Sequence, residues 1–417
     1  MQRPHRLWGR RKLVVLGLGA LGLAGALTLA AFAAPARQAA AAATYTPAED
    51  AAVVARVPTR DPDELSARRT LAAAPDRVEL AVSLARADIR RYRTLSDPRF
   101  LGRAQATLAP WWSLAEPPQG VLLLRATIRQ SLHDFDGAKA DLDRVVARPP
   151  AADGDAEDAA TFAQAHLTRA VVATVTADYA RARESCAAIA RLASPLVAAT
   201  CEAPLDAIAG KADRAYESVS RALAGARRAD AGVRGWALTQ LAELALVRGD
   251  RAAAAQHLRA ALALDTHDAY ARNLLADVLL LEGRAREASL LLAGKDAIDS
   301  HLVRRAIAEH QSHGPDEQAL VRAMRERIAA AALRGDRIHL REEAMFALAV
   351  LHDPKAAVAL ARDNWAVQKE LADARLLAEA AAAASDADAA RPVLAWARTN
   401  GLRDAQLEIF FARLEAR

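Results

Sequence analysis

Polar and apolar positions recur at helical spacing along nearly the whole of this 417-residue chain. Trp236 to Leu264 reads WALTQLAELALVRGDRAAAAQHLRAALAL, and Tyr270 to Leu292 reads YARNLLADVLLLEGRAREASLLL; the second overlays the first at an offset of 34 residues. Leu241 falls on Leu275, Ala242 on Ala276, Gly249 on Gly283, Ala254 on Ala288 and Leu258 on Leu292. Self-similarity at this period predicts stacked units, each a helix, a tight turn and an antiparallel helix. Ala242 and Ala254 fall where two backbones approach most closely, and Gly249 and Gly283 supply the positive φ that ends a first helix. Leu241, Leu258 and Leu262 fall at helical spacing and fill the space between units. No alternating apolar run nominates a sheet, and a chain rich in Ala with 4% aromatic residues favours helix over strand.

The pattern resembles the tetratricopeptide repeat. Weaker copies keep the register: 122–146 with Ala126, Asp134, Phe135, Ala138 and Leu142, and 166–189 with Ala170, Asp178, Tyr179, Ala182 and Cys186. A turn and second helix follow at 210–223, and 340–361 and 376–397 repeat the theme with Asp353 and Asp386 at their turns. An early unit at 81–108 fits with a longer connection through Ser96-Asp97-Pro98. Asp97-Pro98, Ser194-Pro195 and Asp353-Pro354 read as N-caps followed by proline at the first helical position. The resemblance covers residues 61–417 and implies an all-α fold, a right-handed α-α superhelix of roughly nine or ten helix pairs.

The N-terminus changes the picture drawn from charge. The formal charge is +5 and the pI 9.4, but Arg3, Arg6, Arg10, Arg11 and Lys12 all precede the apolar run 13–32, and without them the balance is zero. The remaining charges mix both signs, as solvated helix faces do, so no nucleic-acid partner is expected. Cations, an apolar stretch and Ala31-Phe32-Ala33 make residues 1–33 a signal peptide or an uncleaved N-terminal membrane anchor, a buried helix being the third reading. Residues 34–60 form an Ala/Pro-rich linker. Both export readings place the solenoid in the periplasm.

The two cysteines suit that compartment. Cys186 and Cys201 fall on helices joined by a short turn, where they either form a disulfide or fill repeat positions as small buried thiols. Catalytic signatures are missing: no G-x-S-x-G, H-E-x-x-H, C-x-x-C or phosphate loop occurs, and no cofactor is implied. His301, His310 and His313 are the metal candidates, with exposed turn histidines as the alternative, because Ser312, Gly314 and Pro315 take the segment out of a helix. Arg125 and Arg169 hold equivalent repeat positions, where they either grip an acidic ligand or pair with Asp141 or Asp143.

In this fold the first helix of each unit lines the concave surface. The corresponding positions are Trp236, Thr239 and Glu243, then Tyr270, Asn273 and Asp277, with Gln130 and Gln164 from earlier units. Aromatic, amide and carboxylate groups so arranged suit an extended peptide or a partner helix, unless Trp236 and Tyr270 pack against the preceding helix. Ala109-Pro110-Trp111-Trp112 and the stretch 341–380 resemble an exported bacterial group of tetratricopeptide proteins of unassigned activity. That resemblance implies a gene encoded near those of membrane proteins similar to nickel permeases, and through them a link to metal uptake. The expected function is a non-enzymatic periplasmic scaffold for a protein or peptide, an inner-membrane protein among the candidates, with oligomeric state open. The alternatives are a metal-handling accessory protein and a membrane-anchored assembly factor.

Overall fold

A computed structural model describes Glu49 and residues 61–151, 155–337 and 339–415. The leader, the expected export segment and the linker lie outside these residues, Glu49 apart. Two units separate at Arg60/Asp61, and everything that follows concerns the second.

The described residues form helices and no strand. An N-terminal helix α1 (Pro62–Ala73) precedes the pair α2 (Val78–Leu95) and α3 (Arg99–Thr107), and a single turn α4 (Ala109–Trp112) follows. Next come α5 (Gln119–Ser131) with α6 (Phe135–Val146), α7 (Ala156–Val175) with α8 (Tyr179–Leu192), and α9 (Pro195–Ile208) with α10 (Ala212–Gly225). The 34-residue repeat proper is α11 (Ala231–Val247) with α12 (Arg251–Leu264), then α13 (Ala269–Leu281) with α14 (Ala285–Leu292). The series closes with α15 (Asp299–Ser312) and α16 (Glu317–Arg334), α17 (Leu340–Ala349) and α18 (Pro354–Val367), α19 (Leu371–Ala384) and α20 (Ala387–Asn400), and a capping helix α21 (Ala405–Glu415). The described residues thus form nine antiparallel helix pairs.

Five of the pairs close by the same local chemistry. The chain leaves the first helix through a left-handed residue, then an aspartate caps the second: Asp134, Asp178, Asp250, Asp353 and Asp386 each accept from a backbone N–H of the first turn. Glycine holds the left-handed position at 210, 249 and 283, but His133, Ala177, His313, His352 and Ser385 hold it elsewhere. Pro195 and Pro354 occupy the first helical positions behind Ser194 and Asp353. At 97–98 the start slips by one: Pro98 is itself the cap residue, and Asp97 accepts from the Arg99 N–H. Ala242, Ala254, Ala276 and Ala288 are completely buried where the helices cross, with Leu258, Leu275 and Leu292 packed around them, while Leu241 joins the core of the fourth and fifth pairs. Cys186 and Cys201 are joined, their Cα atoms 5.6 Å apart across the turn between α8 and α9.

A simple solenoid brings each unit against its neighbours only. This one also meets itself far along the chain. The Lys369 N–H donates to the Val175 carbonyl at the end of α7, supplying one of that helix's orphan carbonyls. The Trp396 indole donates to the Tyr179 hydroxyl at 2.7 Å, across 217 residues. Gly210, at φ +72°, lies under the Gly401 carbonyl, where an added Cβ would stand 2.3 Å from the oxygen. Gly249, at φ +80°, faces the Ala405 methyl, where an added Cβ would stand 3.1 Å away. Leu371 adds to the core of the fourth and fifth pairs. The C-terminal pairs thus rest on the turns of the third to fifth pairs.

Candidate functional site

The inner face is built from the first helices of successive pairs, and its side chains are tied to one another. Tyr270 donates its hydroxyl to Glu243, 27 residues earlier. Asn273 Nδ2 donates to Ser300 Oγ at 2.9 Å, again 27 residues apart. Arg304 grips Asp277 with two bonds of 2.8 and 2.9 Å at the same spacing. Further on, Arg341 holds Asp373 at 2.6 and 2.9 Å and also reaches Glu370, while Arg375 holds Asp404. These bonds form a ladder whose rungs join one first helix to the next. Planar guanidinium–carboxylate forks suit this task, because two parallel bonds fix distance and orientation together.

The ladder changes the role of several expected contact residues. Asp277 is neutralised by Arg304, so its charge serves the seam between the sixth and seventh pairs. Thr239 is buried, and its hydroxyl returns to the Gly235 carbonyl of its own helix, so it presents nothing to a partner. Trp236 is half-buried against the cluster of Ala170, Ala173, Cys186, Cys201 and Leu205. Gln130 is half-buried at the end of α5, and Gln164 is exposed on α7 with its amide 3.4 Å from Thr168 Oγ1.

Tyr270 stands apart. It is 53% exposed even though its hydroxyl is engaged. Glu370 and Arg341, from the C-terminal half, lie within electrostatic reach of it, and Glu370 and Arg375 within reach of Glu243. The two therefore sit on the face that the C-terminal half approaches. Burial raises the Glu243 carboxyl above its ordinary value, with the Tyr270 hydrogen bond pulling the other way and Glu370 adding to the rise. The Tyr270 ring is open to solvent but its hydroxyl end is enclosed, which pushes the phenol well up, reinforced by Glu243. Around Arg341 burial works against the cation, but Asp373 and Glu370 more than offset it. The centre is Gln240, Glu243 and Tyr270, with Gln240 Nε2 donating to Glu243 at 2.8 Å.

Arg125 and Arg169 are structural. Arg125 is buried and forks onto Asp141, and Arg169 pairs with Asp143 at 2.8 Å.

The three histidines proposed for a metal do not converge. His301 opens α15 and His310 lies near its end, so about 13 Å of helix separates them at ~1.5 Å per residue. His301 is also buried, its Nδ1 without a hydrogen-bond partner among the described residues. His310 instead meets His352, from the next pair, and Glu317. Sequence reading missed His352, which is 42 residues away and brought close only by stacking.

No family model and no curated protein matches this chain. Among solved structures it is similar to yeast Tom70, at 12% identity and a TM-score of 0.31, with 85% of this chain and 91% of that one covered. It is also similar to a chain of the Cut9–Hcn1 hetero-tetramer of APC/C, at 13% identity and a TM-score of 0.29 over 85% and 86% of the two chains. The tetratricopeptide domain of P58(IPK) is similar at 14% identity and a TM-score of 0.18 over 81% and 92%. The fold assignment rests on the helix pairs themselves.

Proposed function

We propose that this chain is a non-enzymatic scaffold that binds a protein or peptide on its inner face, centred on Tyr270 and Glu243. The observation that carries the reading is Tyr270: a large ring more than half exposed on a face whose other groups are locked in rungs. A rigid aromatic with a fixed hydroxyl loses little entropy on binding and makes an effective anchor. Glu243 and Gln240 beside it offer hydrogen-bond acceptors and a donor to an extended backbone. The Asp277–Arg304 pair ties α13, which presents this anchor, to α15.

The scaffold is proposed to work in the periplasm, exported by a cleaved signal or held by an N-terminal anchor. The cationic and apolar leader supports this. The joined Cys186 and Cys201 suit an oxidising compartment.

Affinity capture from native membranes and periplasm tests the reading, with the intact chain, Tyr270→Ala and the exposed control Leu333→Ala run side by side. A partner retained by the wild type and Leu333→Ala but lost from Tyr270→Ala is the expected result. A partner held equally by all three chains removes the inner face from the account.

A further inference from the structure

A cleft of about 420 Å³ opens between the seventh and eighth pairs, lined by His310, His313, His352, Leu348 and Ala349, with Glu379 from the ninth pair. Within it His310 Nε2 and His352 Nε2 stand 3.1 Å apart. Their rings are tilted by 52° with centroids 5.2 Å apart, so they meet through their nitrogens and do not stack. On the far side of His310, Nδ1 lies 2.7 Å from Glu317 Oε1. That contact places a proton on Nδ1 and leaves the Nε2 lone pair facing His352.

We propose that His310 and His352 bind one divalent d-block cation through their Nε2 atoms, Glu317 orienting the first imidazole from behind. The separation fits. Two bonds of about 2.0–2.1 Å from one ion, at octahedral to tetrahedral angles, hold their nitrogens about 2.9–3.4 Å apart. A carboxylate on the second ring nitrogen is the usual partner of a ligating histidine and raises its basicity. No group of three His, Cys, Asp or Glu able to hold a metal occurs among the described residues, so water completes the shell inside the cleft. The fold fixes both histidines: His310 lies in the last turn of α15, and His352 holds the left-handed position before the Asp353 cap at φ 52°. The bound ion would pin the seventh pair to the eighth. This site stands independently of the partner-binding reading.

The test is titration of the tag-free full chain with Cu²⁺, chosen because imidazole sites bind it most tightly among first-row dications. Calorimetry and electron paramagnetic resonance are read on the wild type, His310→Ala, His352→Ala, Glu317→Gln and the buried control His301→Ala. One saturable equivalent with two nitrogen ligands is expected in the wild type and His301→Ala. That equivalent is lost in His310→Ala and His352→Ala, and weakened about 10–100-fold in Glu317→Gln. His310→Ala lies on a helix and keeps the test valid if the turn variant misfolds; circular dichroism reports on both. Absence of a saturable equivalent overturns the proposal, as does an equivalent that survives in His310→Ala with unchanged affinity.

Discussion

His301 gives the sharpest quantitative prediction. Its imidazole is 1% exposed and Nδ1 has no hydrogen-bond partner among the described residues. Burial lowers its pKa from 6.5 to about 4, and the cations Arg272, Arg304 and Lys295 contribute further. In the unfolded chain the ring regains its ordinary affinity for protons. Between pH 6.5 and 4 the unfolded state therefore binds more protons, and stability falls as pH falls through that window. At 1.36 kcal/mol per pKa unit the loss is about 2 kcal/mol at pH 5 and about 3 kcal/mol at pH 4. His301→Leu removes the titrating group and the unpaired nitrogen while keeping an apolar side chain of similar reach. The variant should match or exceed the wild type at pH 7 and gain on it progressively toward pH 5. Thermal melts of both chains across pH 7.5 to 4.5, read as the difference in midpoint, isolate this residue from every other titrating group. A difference that stays constant with pH would refute the burial argument.

Other perturbations separate the parts of the fold. Replacing Cys186 and Cys201 by Ala opens a loop spanning 15 residues and should cost about 3 kcal/mol, seen as a lower melting midpoint that the wild type reproduces only under reductant. Gly210→Ala meets both a left-handed φ and the Gly401 carbonyl, whereas Gly283→Ala meets the same φ in open space. The second should cost about 1–2 kcal/mol for backbone strain alone, and the first clearly more, as measured by denaturant melts. Asp277→Ala strands the buried Arg304 and should destabilise by about 1–3 kcal/mol, less than a fully buried pair because Asp277 retains some exposure. Hydrogen exchange should localise that loss to α13 and α15.

The repeat was legible where glycine and alanine report backbone geometry directly. Gly249 with Ala254 and Gly283 with Ala288 set the 34-residue period because the turn and the close helix crossing each tolerate few residues. Elsewhere the same left-handed turn is held by His133, Ala177, His352 or Ser385, so the signal faded although the geometry persisted. Helix caps were readable from Asp and Ser beside the turns, since a cap needs only a partner a few residues away. The inner face was less so. Periodicity placed Asp277 and Asn273 on the first helix of their unit, but not the Arg304 and Ser300 that engage them from the next one. The contacts of Tyr179 with Trp396 and of Gly210 with Gly401 depend on how far the stack curls, a property summed over many units that no local pattern displays.

The central claim is that the inner face around Tyr270 receives a partner. The most direct measurement places a photo-crosslinking amino acid at Tyr270 in the cell of origin, with a second chain carrying it at the exposed Leu333 as control. A discrete adduct with another polypeptide at position 270, absent at 333, is the predicted result. Crosslinks at 270 that join only the chain's own C-terminal pairs would contradict the claim, because the curl would then fill the face that a partner needs.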